Sequence, residues 1–197
     1  MENLNNIANF LFEAGMLAKT PRSGFFFLGS GEQSVAEHIN RTTLIGFVLS
    51  KMIKEADENK VLKMCLFHDV GEARTSDLNY VHQKYANADE HKAWDDLAQT
   101  LPFGSEIKDL LTEWDLVESL ESKIARDADQ LELLLSLKEQ IDIGNTRAKS
   151  WVPSAIKRLK TEEAKKLAEE IISTDSDKWW FGDKENSWWV DRDGQYK

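Results

Sequence analysis

Residues 61–77 read "VLKMCLFHDVGEARTSD". The first seven are an apolar run with helical character, yet His68 and Asp69 follow side by side, with Glu72 and Asp77 just beyond. On a continuing helix, His68 and Glu72 share a face because they are four apart, and Asp69 is turned by about 100° toward a neighbouring direction. Two ligands and a base can then surround one point. Taken alone, a His-Asp pair reads as a solvated or packed helix end, so its surroundings must decide.

Outward from this stretch, helical spacing recurs along most of the chain. Leu4, Ile7, Ala8, Leu11 and Ala14 give a first helix. "KTPRSGFFFLGSGEQ" then breaks the pattern at Pro21, a loop long enough to suggest function. Ser34-Val35-Ala36-Glu37 restarts it as a capping box, which puts His38 in the first turn or so of a helix running to about Ala56. The opening stretch predicts a helix from about Lys60 to Glu72 or Ala73. Further helices are expected near 87–100, 105–118 and 120–141, with Gly144 and Asn145 as a stop, and two more in "TRAKSWVPSAIKRLK" and "EEAKKLAEEIIS". No stretch alternates as a strand, so the fold class is all-α.

A chain of 197 residues can form one ordinary domain. With 41% hydrophobic and 30% charged residues, the composition is globular rather than disordered or fibrous. We expect a helical bundle over 1–173 and a Trp-rich tail over 174–197, which holds four of the seven tryptophans and packs on the domain or on a partner subunit.

The formal charge of −10 lacks the basic footprint of a nucleic-acid binder, so phosphate would have to meet a local cationic or metallic site. Cys65 is the sole cysteine and lies in an apolar run, which excludes an intramolecular disulfide and points to a buried thiol in a reducing compartment. "MENLNNIANFLFEAG" has no basic leader, and no apolar run approaches membrane-spanning length. A cytoplasmic protein is expected, with no membrane and no nucleic-acid polymer among its partners.

The candidate chemistry lies on three segments. Beside His68 and Asp69 stand His38, just after the long loop, and Asp127 with Asp129, where "ARDADQLELLL" starts a strongly apolar helix. Carboxylates against hydrophobic surface need partners, and a metal ion is one. Histidines and aspartates together suit borderline or fairly hard divalent ions, and no thiolate zinc set is available. The stripe Ile124, Ala128, Leu131, Leu135 places Asp127 nearer the buried face than Asp129, so periodicity leaves the choice between them open.

"SVAEH" at 34–38, "FHDVGEARTSDL" at 67–78 and "ARDADQLELL" at 125–134 resemble the HD-domain metal-dependent phosphohydrolases in order and spacing. The likeness is greatest to the small branch similar to bacterial 5'-deoxynucleotidases, whose "PR(S/T)G" loop is matched by "TPRSGF" at 20–25. It covers roughly residues 10–160 and implies an HD-domain helical bundle around a single metal site. Carried over by position, it implies that His38, His68, Asp69 and Asp129 bind one divalent ion (Mn, Co, Mg or Zn), with Asp127 a neighbour. It implies that Glu72 orients or deprotonates the attacking water, that Asp77 is an essential carboxylate near phosphate and sugar, and that Arg22 meets the phosphate.

The expected reaction is removal of the 5'-phosphate from a (deoxy)nucleoside monophosphate by a metal-activated water. A homodimer is also implied. Two other functions fit the same motifs: a dNTP triphosphohydrolase or alarmone hydrolase, and a non-catalytic module that binds metal and nucleotide. After "SDL" the chain departs from close relatives with "NYVHQKYANADEH", where His82 could line the pocket and Lys84 could replace a lysine of the relatives. His82 and His91 are otherwise expected at the surface.

Overall fold

The computed structural model describes residues 3–182. Within the described residues eleven α-helices follow one another: α1 (Leu4–Ala14), α2 (Phe25–Leu28), α3 (Val35–Met52), α4 (Glu58–Phe67), α5 (Glu72–Thr75), α6 (Glu90–Thr100), α7 (Gly104–Leu116), α8 (Leu120–Asp142), α9 (Val152–Arg158), α10 (Glu162–Ser173) and α11 (Lys178–Phe181). Among the described residues there is no named strand, only an isolated bridge between Pro21 and Ser34. The architecture is all-α, as expected.

The central element is α8, which packs against α3, α4, α7, α9 and α10. Ile124, Ala128, Leu131, Leu134 and Leu137 recur every three or four residues and are buried, so one face of α8 supplies the axis of the core. Leu135, placed on that stripe by the sequence, is only half-buried. The short connection from α3 to α4 makes an antiparallel hairpin, so His38 near the start of α3 and His68 just past the end of α4 reach the same end of the bundle. Close packing of this pair requires Gly46, because a Cβ there would come within 2.6 Å of Cys65 Sγ.

One expectation is corrected. The helix beginning in the opening stretch ends at Phe67 instead of continuing through Glu72. Val70 N bonds Phe67 O and Glu72 N bonds Asp69 O, so the chain tightens into a turn before α5 restarts at Glu72. Gly71 sits in that turn, where a Cβ would press within 3.1 Å of Trp94 Nε1. On α1, Ile7 and Phe10 face a small cluster with Trp94 and Leu97, while Leu4, Leu11 and Phe12 point outward and are exposed.

The capping box is present as read, with Ser34 accepting from Glu37 N and the Glu37 carboxylate accepting from Ser34 N. Ser176 N donates to Asp142 at 2.8 Å, which ties the start of the expected tail to the end of α8. From residue 183 onward that expectation lies outside the described residues. No described helix is long and apolar enough to cross a membrane.

Candidate active site

His38 is fully buried, and His68 nearly so, and their Nε2 atoms face each other at 3.2 Å. Asp69 Oδ2 lies 3.2 Å from His68 Nε2 and 3.5 Å from His38 Nε2, and Asp129 Oδ1 lies 3.3 Å from His38 Nε2. The four residues expected to act together are therefore brought together, from three separate segments. The turn that ends α4 is what swings Asp69 onto the same point as His68.

The outer nitrogens define the inner ones. Cys65 O is 2.8 Å from His68 Nδ1, and a carbonyl only accepts, so Nδ1 carries a proton and in the neutral ring Nε2 presents a lone pair to the cluster. His38 Nδ1 lies 2.7 Å from the carboxylate of Glu132 on α8. Ligating atoms about 2.0–2.2 Å from a divalent ion lie about 3.0–3.5 Å apart at ordinary coordination angles, which is the spacing seen. His38, His68 and Asp69 thus form a group that could hold a metal ion, with Asp129 beside it. The donor set is nitrogen and oxygen only, and Glu72 Oε2 is a buried oxygen without a hydrogen-bond partner.

Without an ion, protons and ion pairs must hold the cluster together. Burial and the Arg22 charge push the His38 imidazolium down, but bonds to Asp129 and Glu132 and the charge of Asp69 overcome them and raise it to about 9. Burial opposes ionisation of Asp69, yet His68, His38 and Arg22 bring it to about 2. Asp129 is held well below the usual carboxylate range against burial, chiefly by His38. Glu72 goes the other way: burial, reinforced by the charges of Asp69 and Asp77, pushes it up to about 10 although Arg22 pulls it down. Groups driven apart in this manner at one place are a common feature of functional sites.

Arg22 sits in the loop before α2 with its side chain only 19% exposed. Its Nη1 donates to Asp69 Oδ2 at 3.3 Å, and its Nε is 3.8 Å from Asp77 Oδ2. The loop is tied down by Ser23, whose N donates to Asp77 Oδ2 at 3.0 Å and whose Oγ donates to Asp77 O at 2.7 Å. Ser76, just before Asp77, has φ +61° and ψ 161°, a conformation that strains any residue but glycine. Asp77 itself is raised by burial against the pull of Arg22 and Ser23 N.

A cavity of about 520 Å³ opens over His68, Asp69, Asp77, Asp129 and Arg22 and extends to Tyr80, Gln83, Leu133, Trp151 and Arg158. That is ample for a nucleotide-sized molecule. His38 and Glu72 do not form its wall, and neither do His82 and Lys84; the departing segment contributes Tyr80 and Gln83 instead. His91 is exposed on α6, 3.5 Å from Asp115. Trp114 fills the floor between His68, 4.8 Å away, and Arg126, whose guanidinium carbon is 4.2 Å from the Trp114 ring.

Asp127, expected beside the metal ligands, faces away from them. It is completely buried and accepts from Lys160 N at 2.6 Å and from Thr161 N and Oγ at 2.8 and 2.7 Å. It therefore secures the corner between α9 and α10. The sequence reading missed Glu132, although a lone carboxylate within the apolar run "LELLL" was the available signal.

A protein-family model for the HD domain matches residues 14–172. The 5'-deoxynucleotidase HDDC2 of Bos taurus is 25% identical over 174 residues, covering 84% of this chain and 84% of the relative. The protein of the same name from Dictyostelium discoideum is 29% identical over 149 residues, covering 69% and 78%. Among solved structures, a conserved hypothetical protein from Pyrococcus furiosus superposes with a TM-score of 0.72 at 26% identity, over 85% of this chain and 99% of that one. A predicted metal-dependent phosphohydrolase from Magnetospirillum magnetotacticum MS-1 gives 0.67 at 21% identity, over 86% and 93%, a likeness of fold.

Proposed function

The chain belongs to the HD-domain family, and on that premise we propose that it is a metal-dependent phosphoric monoester hydrolase acting on nucleoside 5'-monophosphates, deoxynucleotides included. The observation that carries this reading is the meeting of His38, His68 and Asp69 within 3.2–3.5 Å of one another, with Asp129 3.3 Å from His38, beside a cavity that also presents Arg22. The names of the bovine and Dictyostelium relatives support the substrate class.

In this reading His38, His68, Asp69 and Asp129 hold one divalent ion, with Mn, Co, Mg and Zn all compatible with the donor set. When bound, such an ion supplies Lewis acidity toward a phosphoryl oxygen and lowers the pKa of water. Arg22 receives the phosphate, because its planar fork donates to two oxygens at once and offsets charge that develops during transfer. Asp69 and Asp77 hold that fork ready. Glu72, whose raised carboxyl needs a nearby cation to ionise at neutral pH, orients the attacking water and, once ionised, takes its proton on the unpartnered Oε2. Asp77, fixed by Ser23, meets the sugar side of the ester. The remoter wall, with Leu133, Trp151 and Tyr80, offers apolar and aromatic surface to the nucleoside.

Arg126 and Arg158 also line the cavity, which gives one specific reason to include longer phosphates among the substrates tried. The test is phosphate release from a panel of nucleoside mono-, di- and triphosphates with each metal, run beside Glu72→Gln. Release from monophosphates by the wild type alone is expected. If both proteins bind metal and nucleotide yet neither turns over, the chain is a binding module and the enzyme reading fails.

The same proposal includes a homodimer in the cytoplasm. Exposed Leu4, Leu11 and Phe12 on α1 and Leu44, Phe47 and Val48 on α3 support an interface with a second copy. The buried thiol of Cys65, pushed up by burial, is in keeping with a reducing compartment. Sedimentation of the wild type, Phe12→Glu and Val48→Glu tests the dimer, and a monomeric wild type refutes it.

A further inference from the structure

We propose that Glu132 is a positioning residue of the metal centre: it holds His38 in the tautomer that leaves Nε2 free to bind an ion. The inference rests on the metal-site reading above and deepens it. Glu132 lies on α8, three residues after Asp129, and is 1% exposed. Its two oxygens are used differently. Oε2 faces His38 Nδ1 at 2.7 Å. Oε1 accepts from Gln33 Nε2 at 2.6 Å, from Arg41 Nε at 2.9 Å and from Ser136 Oγ at 3.2 Å, with Arg41 Nη2 at 2.7 Å.

Every group around Oε1 is a donor, so the carboxylate cannot rotate away from His38 without leaving those donors unmet in a buried place. With Oε2 fixed as an acceptor, the proton of a neutral His38 must sit on Nδ1, and its Nε2 lone pair must face the ion. His68 reaches the same state by a different route, through Cys65 O. One ligand is oriented by its own helix and the other by a carboxylate 94 residues away. A backbone carbonyl is always an acceptor, whereas a side chain can be exchanged, and that makes the His38 arrangement testable.

Glutamine is the informative replacement. It has the same shape but only one acceptor oxygen, and the donors around Oε1 claim it. The amide NH2 must then point at His38 Nδ1, which makes Nδ1 the acceptor and puts the proton on Nε2, where the ion should bind. A purely structural role predicts that isosteric Gln is milder than Ala. Tautomer control predicts that Gln is at least as damaging as Ala for metal affinity.

The experiment measures Zn and Mn affinity by chelator competition for the full chain as wild type, Glu132→Gln, Glu132→Ala and Ser136→Ala, with far-UV circular dichroism as the check of fold. We expect about 10–100-fold weaker binding for Gln, no better binding for Gln than for Ala, and Ser136→Ala within about twofold of wild type. In the Zn-loaded wild type, proton NMR should show a His38 Nδ1–H resonance that the Gln variant lacks. If Gln does not fold, Glu132→Asp keeps the charge for Arg41 but shortens the reach to Nδ1, and its affinity should fall likewise. Gln or Asp binding within about threefold of wild type overturns the proposal, as does Gln milder than Ala.

No nucleotide enters these measurements, so the two readings fail separately. A Gln deficit without phosphate release by the wild type upholds Glu132 and sinks the hydrolase. Equal affinities alongside active wild type sink Glu132 alone, and a wild type that binds no ion overturns both.

Discussion

Replacing Asp127 by Asn should cost stability and leave metal binding intact, the reverse of the outcome at Asp129 two residues later. The Asp127 carboxylate is buried and accepts Lys160 N on one oxygen and Thr161 N and Oγ on the other. Thr161 in turn caps α10 by accepting from Ala164 N. An amide retains one acceptor oxygen, so the best arrangement keeps the Thr161 bonds and sets an NH2 against Lys160 N. One charge-assisted bond is lost and one buried donor is left unmet, which amounts to about 2–3 kcal/mol. For a chain of this size that lowers the melting temperature by about 4–12 °C. Differential scanning calorimetry reads the first quantity and chelator competition the second. Asp129→Asn removes a carboxylate 3.3 Å from His38 Nε2 and should weaken the ion by at least about tenfold with a smaller effect on melting. Weaker metal binding with unchanged melting for Asp127→Asn would refute the assignment of the two aspartates.

Glu72→Gln should stabilise the metal-free protein, increasingly as pH rises. The folded pKa of about 10 lies above the ordinary 4.5, so the stability this group contributes is complete below about pH 4.5 and is lost as pH climbs toward 10. Each pH unit above 4.5 costs at most about 1.4 kcal/mol, and equal urea midpoints for the two metal-free proteins at pH 8 would sink the argument. Ser76→Gly relieves a backbone conformation costing about 1–3 kcal/mol, so melting should rise by several degrees; a fall would show that the strain is absent. Arg22→Lys keeps the charge but loses the fork, so kcat/KM for a nucleoside monophosphate should drop at least about tenfold while metal affinity stays within a few-fold; unchanged kinetics would remove Arg22 from the phosphate site.

Features of the fold that depend on neighbours along the chain were legible. The Ser34 to Glu37 capping box, the apolar stripe of α8 and the stop at Gly144, which has φ +98°, all follow from residues within a few positions of one another. Features that depend on distant partners were not. Periodicity correctly placed Asp127 deeper than Asp129, yet burial alone could not tell a corner clamp from a ligand, because the donors at 160 and 161 lie on another element. Glu132 was passed over for the same reason: apart from Ser136 on its own helix, its partners Gln33, His38 and Arg41 belong to the loop before α3 and to α3 itself. The break after Phe67 was hidden because helical spacing continues through His68 and Glu72 while the hydrogen bonds change from four residues to three. Likewise the apolar pattern of α1 said that one face was hydrophobic, not that Leu4 and Leu11 would lie outside the core.

The charge around the cavity bears on the order in which ligands can arrive. Six carboxylates line it (Asp69, Asp77, Glu90, Asp115, Asp129 and Glu132) against three guanidiniums, those of Arg22, Arg126 and Arg158. A nucleotide carrying two negative charges on its phosphate would meet a formal excess of three, in a chain whose total is −10. Arg22 cannot reverse this, because Asp69 and Asp77 already balance it. Attraction between unlike charges 4 Å apart near a protein surface is about 4 kcal/mol, and repulsion is of the same size, so the carboxylates that hold an ion would, without it, turn the substrate away. In the proposed mechanism the same acidic cluster would serve two ends: His38, His68 and Asp69, with Asp129 beside them, would hold a divalent cation, and Arg22 would then be free to share its fork with phosphate. An enzyme built this way should bind nucleotide weakly in chelator and tightly in metal, and its acidity, which at first excludes polyphosphate partners, would tie nucleotide binding to occupancy of that site.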